Sequence, residues 1–142
     1  MVRAVSECLF CTIIAGDLPA YRVLDEPAVV GFLDTRPLFA GHVLVVPREH
    51  VETLTDVPAD AVGAFFATVQ RVTGAVERAC AAAGSFVAIN NRVSQSVPHL
   101  HVHVVPRNRK DGLRGFFWPR TKYADDAEAA DQAARIAAEL AN

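Results

Sequence analysis

The chain carries two kinds of hydrophobic pattern. Tyr21 to Asp25, Val29 to Leu33, His42 to Val46 and Ser85 to Ile89 are short apolar-rich runs. Turn-forming stretches bound them: Asp17-Leu18-Pro19-Ala20, Glu26-Pro27, Asp34-Thr35-Arg36-Pro37 and Pro47. Such length and punctuation predict β-strands. A fifth segment, bracketed by Pro98 and Pro106, alternates strictly, with Leu100, Val102 and Val104 set between or after His99, His101 and His103. A strand sends successive side chains to opposite faces. This segment therefore predicts three imidazoles on one face, about 7 Å apart, and an apolar row on the other. A helix would scatter the rings around its cylinder.

The second pattern has helical period. Val62, Phe65, Phe66, Val69, Val72, Val76, Ala79 and Cys80 recur at spacings of three and four and predict one long helix. Thr55 or Asp56 is the expected cap, Pro58 suits the first turn, and Gly84 is the expected stop. Cys80 falls on the apolar face and reads as a small buried hydrophobe. Cys8 to Gly16 predicts a short helix ending at Gly16. Asp125 to Ala141 predicts an alanine-rich helix whose thin apolar side, Ile136 and Leu140, docks on the domain. Between these lie a basic stretch, Arg107 to Arg114, and an aromatic knot, Gly115 to Arg120. The fold expected is a single α+β domain over 1–142, with a core of about 8–107 and a C-terminal appendage. Its sheet is antiparallel and five-stranded with one main covering helix. The Ser85–Ile89 strand and the histidine strand, joined by the loop 90–94, form an antiparallel pair.

Composition narrows the function classes. The 142 residues are 51% hydrophobic and 21% charged, an ordinary globular balance. A formal charge of −2 gives no basic face for nucleic acid. No apolar run reaches the length of a membrane span, and Met1 to Phe10 lacks a signal-peptide h-region. Three cysteines, two of them in Cys8-x-x-Cys11, fit a reduced cytoplasm and a metal site better than a disulfide framework.

Three chemistries compete for the histidine row. His-x-His binds zinc with further ligands elsewhere. A neutral imidazole attacks phosphorus and forms a covalent intermediate. Or the rings are structural, although crowding three titratable groups costs stability unless they have a task. Gln95, Ser96, Asn90 and Asn91 gather donors suited to an anionic group. A hydrolytic serine is the weaker reading. Ser96 has no Gly-x-Ser-x-Gly setting, and no acid completes a triad.

Gln95-Ser96-Val97-Pro98-His99-Leu100-His101-Val102-His103-Val104-Val105 resembles the signature of the histidine triad (HIT) family. Cys8 to Ala20 resembles the opening of its bacterial nucleotide-binding branch, and Phe32 to Pro37 and Gly41 to His50 resemble its middle segment. The resemblance implies an α+β fold that dimerises into a continuous sheet. It implies nucleotidyl hydrolysis or transfer at an α-phosphate. On it, His101 is the nucleophile, its tautomer fixed by a backbone carbonyl, and Ser96 donates to the leaving atom. His103 and Asn90 contact phosphate, with Asn91 and Gln95 as alternatives to Asn90, and His42 extends the network. Asp34 takes the ribose hydroxyls. Leu9, Phe10, Ile13, Leu18 and Phe32 wall a purine base. Cys8, Cys11, His50 and His99 match a structural zinc site. The expected substrates are nucleoside phosphoramidates or related adenylyl compounds, then dinucleoside polyphosphates. The rivals are a nucleotide-binding regulator with weak turnover and a zinc-binding structural module. Three departures stand out: Arg92 in a shortened loop before the signature, Pro98, which removes a backbone N–H just before the triad, and the segment 107–142. Phe117-Trp118-Pro119 within it either reaches a neighbouring subunit's pocket or simply packs.

Overall fold

The computed structural model describes residues 7–113 and 120–141. The chain divides into two compact units, Met1–Asp111 and Gly112–Asn142. In the first, α1 (Leu9–Ile14) precedes β1 (Arg22–Asp25), β2 (Val29–Leu33) and β3 (Val43–Pro47). A 3₁₀ turn, Leu54–Asp56, leads into α2 (Ala59–Ala79), followed by β4 (Gly84–Ala88) and β5 (Val102–Arg107). The five strands form one antiparallel sheet in the order β1-β2-β3-β5-β4.

The period-two pattern sorts the side chains onto two faces. Val29, Val43, Val45, Val102 and Val104 pack under Phe65, Val69, Val72 and Val76 of α2. Val30, Phe32, Leu44 and Val46 point the other way, onto Phe10, Cys11 and Ile13 of α1. At roughly 25 cal/mol per Å² of apolar surface, each such buried side chain contributes about 1.5–3 kcal/mol. The alternation also carries chemistry. His103 pairs with Leu44 across the sheet, so its ring lies on the α1 face.

Several expectations change. The long helix is not capped by Thr55 or Asp56. Asp56 instead accepts from the Thr53 amide and hydroxyl within the 3₁₀ turn, and Pro58 sits at the N-cap of α2. These donors hold the Asp56 carboxyl below its usual range. Gly84 does not stop α2 but opens β4. The stop is Ala81, at φ 48°, with Ala81 N donating to Arg78 O and Ala82 N to Glu77 O. Those two bonds make a Schellman closure with alanine in the left-handed seat. The same pair closes α1, where Gly16, at φ 86°, takes that seat as expected. Cys80 is exposed, because α2 ends there without a covering layer. Its Sγ lies against Gly41, at φ 98°, where a β-carbon would collide with it.

In the second unit, α3 (Asp126–Leu140) is capped by Asp125, whose carboxylate accepts from Glu128 N at 2.8 Å. Residues 114–119, which include Phe117-Trp118-Pro119, lie outside the described residues.

Candidate functional site

The histidine segment is only half a strand. β5 begins at Val102, so His99 and His101 precede the ladder, and Pro106 lies within the strand rather than beyond it. The cause is local. His99 N donates to Val97 O at 2.8 Å, and Leu100 N to Val51 O at 2.7 Å. The His99 ring donates from Nε2 to Pro47 O at 2.8 Å, occupying the carbonyl that a longer ladder would use. The rings consequently crowd: His101 and His103 have centroids 4.9 Å apart, closer than a regular strand spacing.

His101 is 3% exposed. Its Nδ1 donates to His99 O at 2.8 Å, which leaves the Nε2 lone pair free. Phe10 packs edge-on against it, centroids 5.1 Å apart. Burial lowers the His101 pKa, while the His99 carbonyl and the Asp34 charge oppose that shift. The ring is therefore neutral near pH 7, the state a nucleophile needs.

His42 and His103 form a directed pair. Leu38 N donates to His42 Nδ1 at 3.1 Å, so the His42 proton resides on Nε2. Nε2 in turn donates to His103 Nδ1 at 3.0 Å. His103 must then carry its proton on Nε2, the nitrogen not engaged by His42. Burial lowers both pKa values, that of His103 to about 4. Asp34 Oδ2 stands 3.8 Å from His42 Nε2, and Asp34 Oδ1 accepts from Arg36 N. Asp34, His42 and His103 are close enough to be a second cation site. The hydrogen bonds argue against it: a metal on His42 Nε2 would move the proton to Nδ1, where it would face the Leu38 N–H.

Cys8, Cys11, His50 and His99 converge, with ligand atoms all within 4.8 Å of one another. Cys8 Sγ is 3.4 Å from His99 Nδ1, and Cys11 Sγ is 3.3 Å from His50 Nδ1 and 3.6 Å from His99 Nδ1. A tetrahedral zinc with bonds of about 2.3 Å to sulfur and about 2.0 Å to nitrogen sets such separations near 3.5 Å. The Pro47 carbonyl directs His99 Nδ1 into the cluster, as an outer-shell partner should. Burial and the neighbouring Cys8 thiol push the Cys11 thiol up to about 11. Burial likewise brings His99 down to about 4. The donor set and spacing fit zinc.

The remaining predicted residues separate. Phe10, Ile13 and Phe32 are buried, whereas Leu9 and Leu18 are exposed. Asn90 and Ser96 are exposed. The Gln95 amide is committed at both ends, accepting from Arg92 N and donating to Glu52 O, each at 2.7 Å. Asn91 Oδ1 accepts from Leu54 N. Together these clamp a loop in which Arg92 and Ser94 have positive φ. Two roles were not read from the sequence. Arg22 caps the C-terminus of α1 through the carbonyls of Ile13 and Ile14. Leu38 sets the His42 tautomer through its amide, which no side-chain pattern reveals.

A five-stranded antiparallel sheet bearing neutral, oriented imidazoles beside a Cys₂His₂ cluster defines a histidine-triad architecture. The HIT domain family model matches residues 15–110, and the chain belongs to that family. It is 39% identical over 108 residues to an uncharacterized HIT-like protein of Mycobacterium tuberculosis, covering 75% of each chain. It is 30% identical over 120 residues to an adenosine 5'-monophosphoramidase of Candida albicans, covering 80% of this chain and 79% of that one. Among solved structures it resembles a Streptococcus mutans protein, with TM-score 0.88 and 32% identity over 99% of this chain and 89% of that one. It also resembles a zinc-bound histidine triad family protein of Mycobacterium smegmatis, with TM-score 0.72 and 34% identity over 98% and 100%.

Proposed function

We propose that the protein is a nucleotidyl hydrolase acting at the α-phosphate of nucleoside phosphoramidates or related adenylyl compounds. The observation that carries this reading is the His101 Nδ1–His99 O hydrogen bond, which leaves Nε2 as a free lone pair. Nε2 attacks phosphorus; the bond to the leaving nitrogen breaks, and the amine departs protonated with Ser96 as the donor beside it. Water then cleaves the phosphorus–imidazole bond and releases the nucleoside monophosphate. His103 offers its Nε2–H to a phosphate oxygen, aided by Asn90, and His42 holds His103 in that tautomer. Asp34 receives the ribose hydroxyls. The exposed Leu9 and Leu18, next to Phe10, Ile13 and Phe32, supply an apolar wall for a purine. With Gln95 tied into its loop, the phosphate contacts fall to Asn90 and His103.

A zinc ion held by Cys8, Cys11, His50 and His99 would tie α1 to the histidine segment and serve structure. The zinc-bound relative and the ligand spacing support it. The protein acts as a homodimer whose two sheets join into one, with no membrane or nucleic-acid partner, in the cytoplasm. The phosphoramidase relative favours this substrate class over dinucleoside polyphosphates and over a regulator with weak turnover.

The test is AMP release from an adenosine phosphoramidate, with diadenosine polyphosphate alongside. Wild type should exceed His101→Ala by at least about 10³-fold, the scale expected when a covalent nucleophile is removed. Equal rates would sink the hydrolase reading. Faster turnover of the dinucleotide would move the protein to the second substrate class.

A further inference from the structure

The loop between β4 and β5 holds two residues in the left-handed region, Arg92 at φ 65° and Ser94 at φ 61°. Neither is glycine, and a residue with a β-carbon is strained there. Within the loop, Val93 N donates to Asn91 O at 2.8 Å, and Gln95 N to Arg92 O at a long 3.4 Å. Strain of this kind persists only where surrounding contacts impose it.

The segment 51–54 imposes it, through three hydrogen bonds. Leu100 N donates to Val51 O at 2.7 Å, Gln95 Nε2 to Glu52 O at 2.7 Å, and Leu54 N to Asn91 Oδ1 at 2.9 Å. That segment is itself pinned, since Thr53 is fully buried and its amide and hydroxyl both donate to Asp56 Oδ2. Gln95 is the one side chain that ties the strained backbone to it directly. While Nε2 reaches Glu52 O, Oε1 accepts from the amide of Arg92 at 2.7 Å. A carbonyl at one end and an N–H at the other fix which atom of the amide is oxygen. Turning that amide onto a phosphate would break both bonds.

We infer that Gln95 is a positioning residue and not a phosphate ligand. It clasps the loop 91–95 to Glu52 in its strained form and so sets Asn90 and Ser96, which flank the loop in sequence. The clasp offsets strain that glycine at 92 or 94 would not carry. What Asn90 and Ser96 do once placed rests on the hydrolase reading; the clasp itself does not.

The experiment joins second-site rescue with amide exchange, in the full-length protein. Gln95→Ala should lower kcat on an adenosine phosphoramidate about 10-fold or more, with KM changed less, because Ser96 is displaced from the leaving atom. Adding Arg92→Gly or Ser94→Gly to Gln95→Ala should restore several-fold of that loss, since glycine adopts the left-handed form freely. By NMR, exchange of the Arg92 and Leu54 amides should quicken several-fold in Gln95→Ala, while that of Leu100, bonded to Val51 O, stays as in wild type. A rise in KM and a weakened AMP affinity that neither glycine restores would overturn the inference in favour of a phosphate ligand. Unchanged exchange at Arg92 and Leu54 would overturn the clasp, and quickened exchange with unchanged kcat would overturn the positioning role. A wild type that releases no AMP sinks the hydrolase reading instead, and exchange at Arg92 and Leu54 then decides the clasp alone.

Discussion

Two backbone groups, the His99 carbonyl and the Leu38 amide, decide which nitrogen of His101, of His42 and, through His42, of His103 carries a proton. From them follow a lone pair on His101 and an N–H on His103. The arrangement has a cost at acid pH. His103 has a folded pKa of about 4, against about 6.5 when unfolded. Between those values the unfolded chain binds more protons than the folded one, so stability falls as pH drops. The contribution is fully present above pH 6.5, is lost progressively toward pH 4, and changes no further below. Urea midpoints measured from pH 7.5 to 4.5 should therefore decline more steeply in wild type than in His103→Gln, at constant zinc. Parallel profiles would contradict the neutral, buried assignment of this ring. The imidazoles themselves were legible from the alternation of His99, Leu100, His101, Val102 and His103. Their tautomers were not, because they depend on backbone groups of Leu38 and His99 that no residue type announces.

Helix α2 shows what periodicity can and cannot specify. Its apolar stripe from Phe65 to Val76 was readable, since burial against a sheet demands that spacing. Its end was not: a glycine three residues further on was the obvious stop, yet Ala81 takes the left-handed turn. A left-handed alanine costs about 1 kcal/mol. Ala81→Gly should accordingly raise stability by about 1 kcal/mol in chemical denaturation, and a loss would show that the Ala81 methyl makes contacts outweighing its strain. Cys80 was misplaced for a related reason, because helical phase says which side a residue faces but not how far the covering layer extends. At the other end of the chain, α1 has only six residues, too few to persist alone. Arg22 and the four-residue cluster hold it. Removing zinc with a chelator, or changing Cys8 to Ala, should abolish stoichiometric zinc and lower Tm by about 10 °C or more. Metal-free wild-type protein with unchanged Tm would exclude the structural metal. Here the Cys-x-x-Cys spacing pointed to a metal, and the resemblance to the HIT family supplied His50 and His99 as the other two ligands.

Taken as a whole, the first unit divides labour between the two faces of its sheet. The α2 face is aliphatic and holds the fold together. The α1 face combines an apolar cluster with the Cys8, Cys11, His50 and His99 group and the oriented imidazoles, so the same helix that buries Phe10 also brings Cys8 and Cys11 to His99. Strand order was not readable from the pattern: β5 inserts between β3 and β4, placing His103 beside Leu44 and Ala88. That insertion is what brings His42 within reach of His103, 61 residues away in sequence. The proposed chemistry requires His101 Nε2 to be the atom that receives the nucleotide. A single-turnover reaction with an adenosine phosphoramidate, quenched in alkali and mapped by mass spectrometry, tests this directly. An adenylyl group on the peptide containing His101, formed and lost at rates that account for AMP release, is the predicted result. Release of AMP with no such adduct, or an adduct on another residue that persists in His101→Ala, would contradict it.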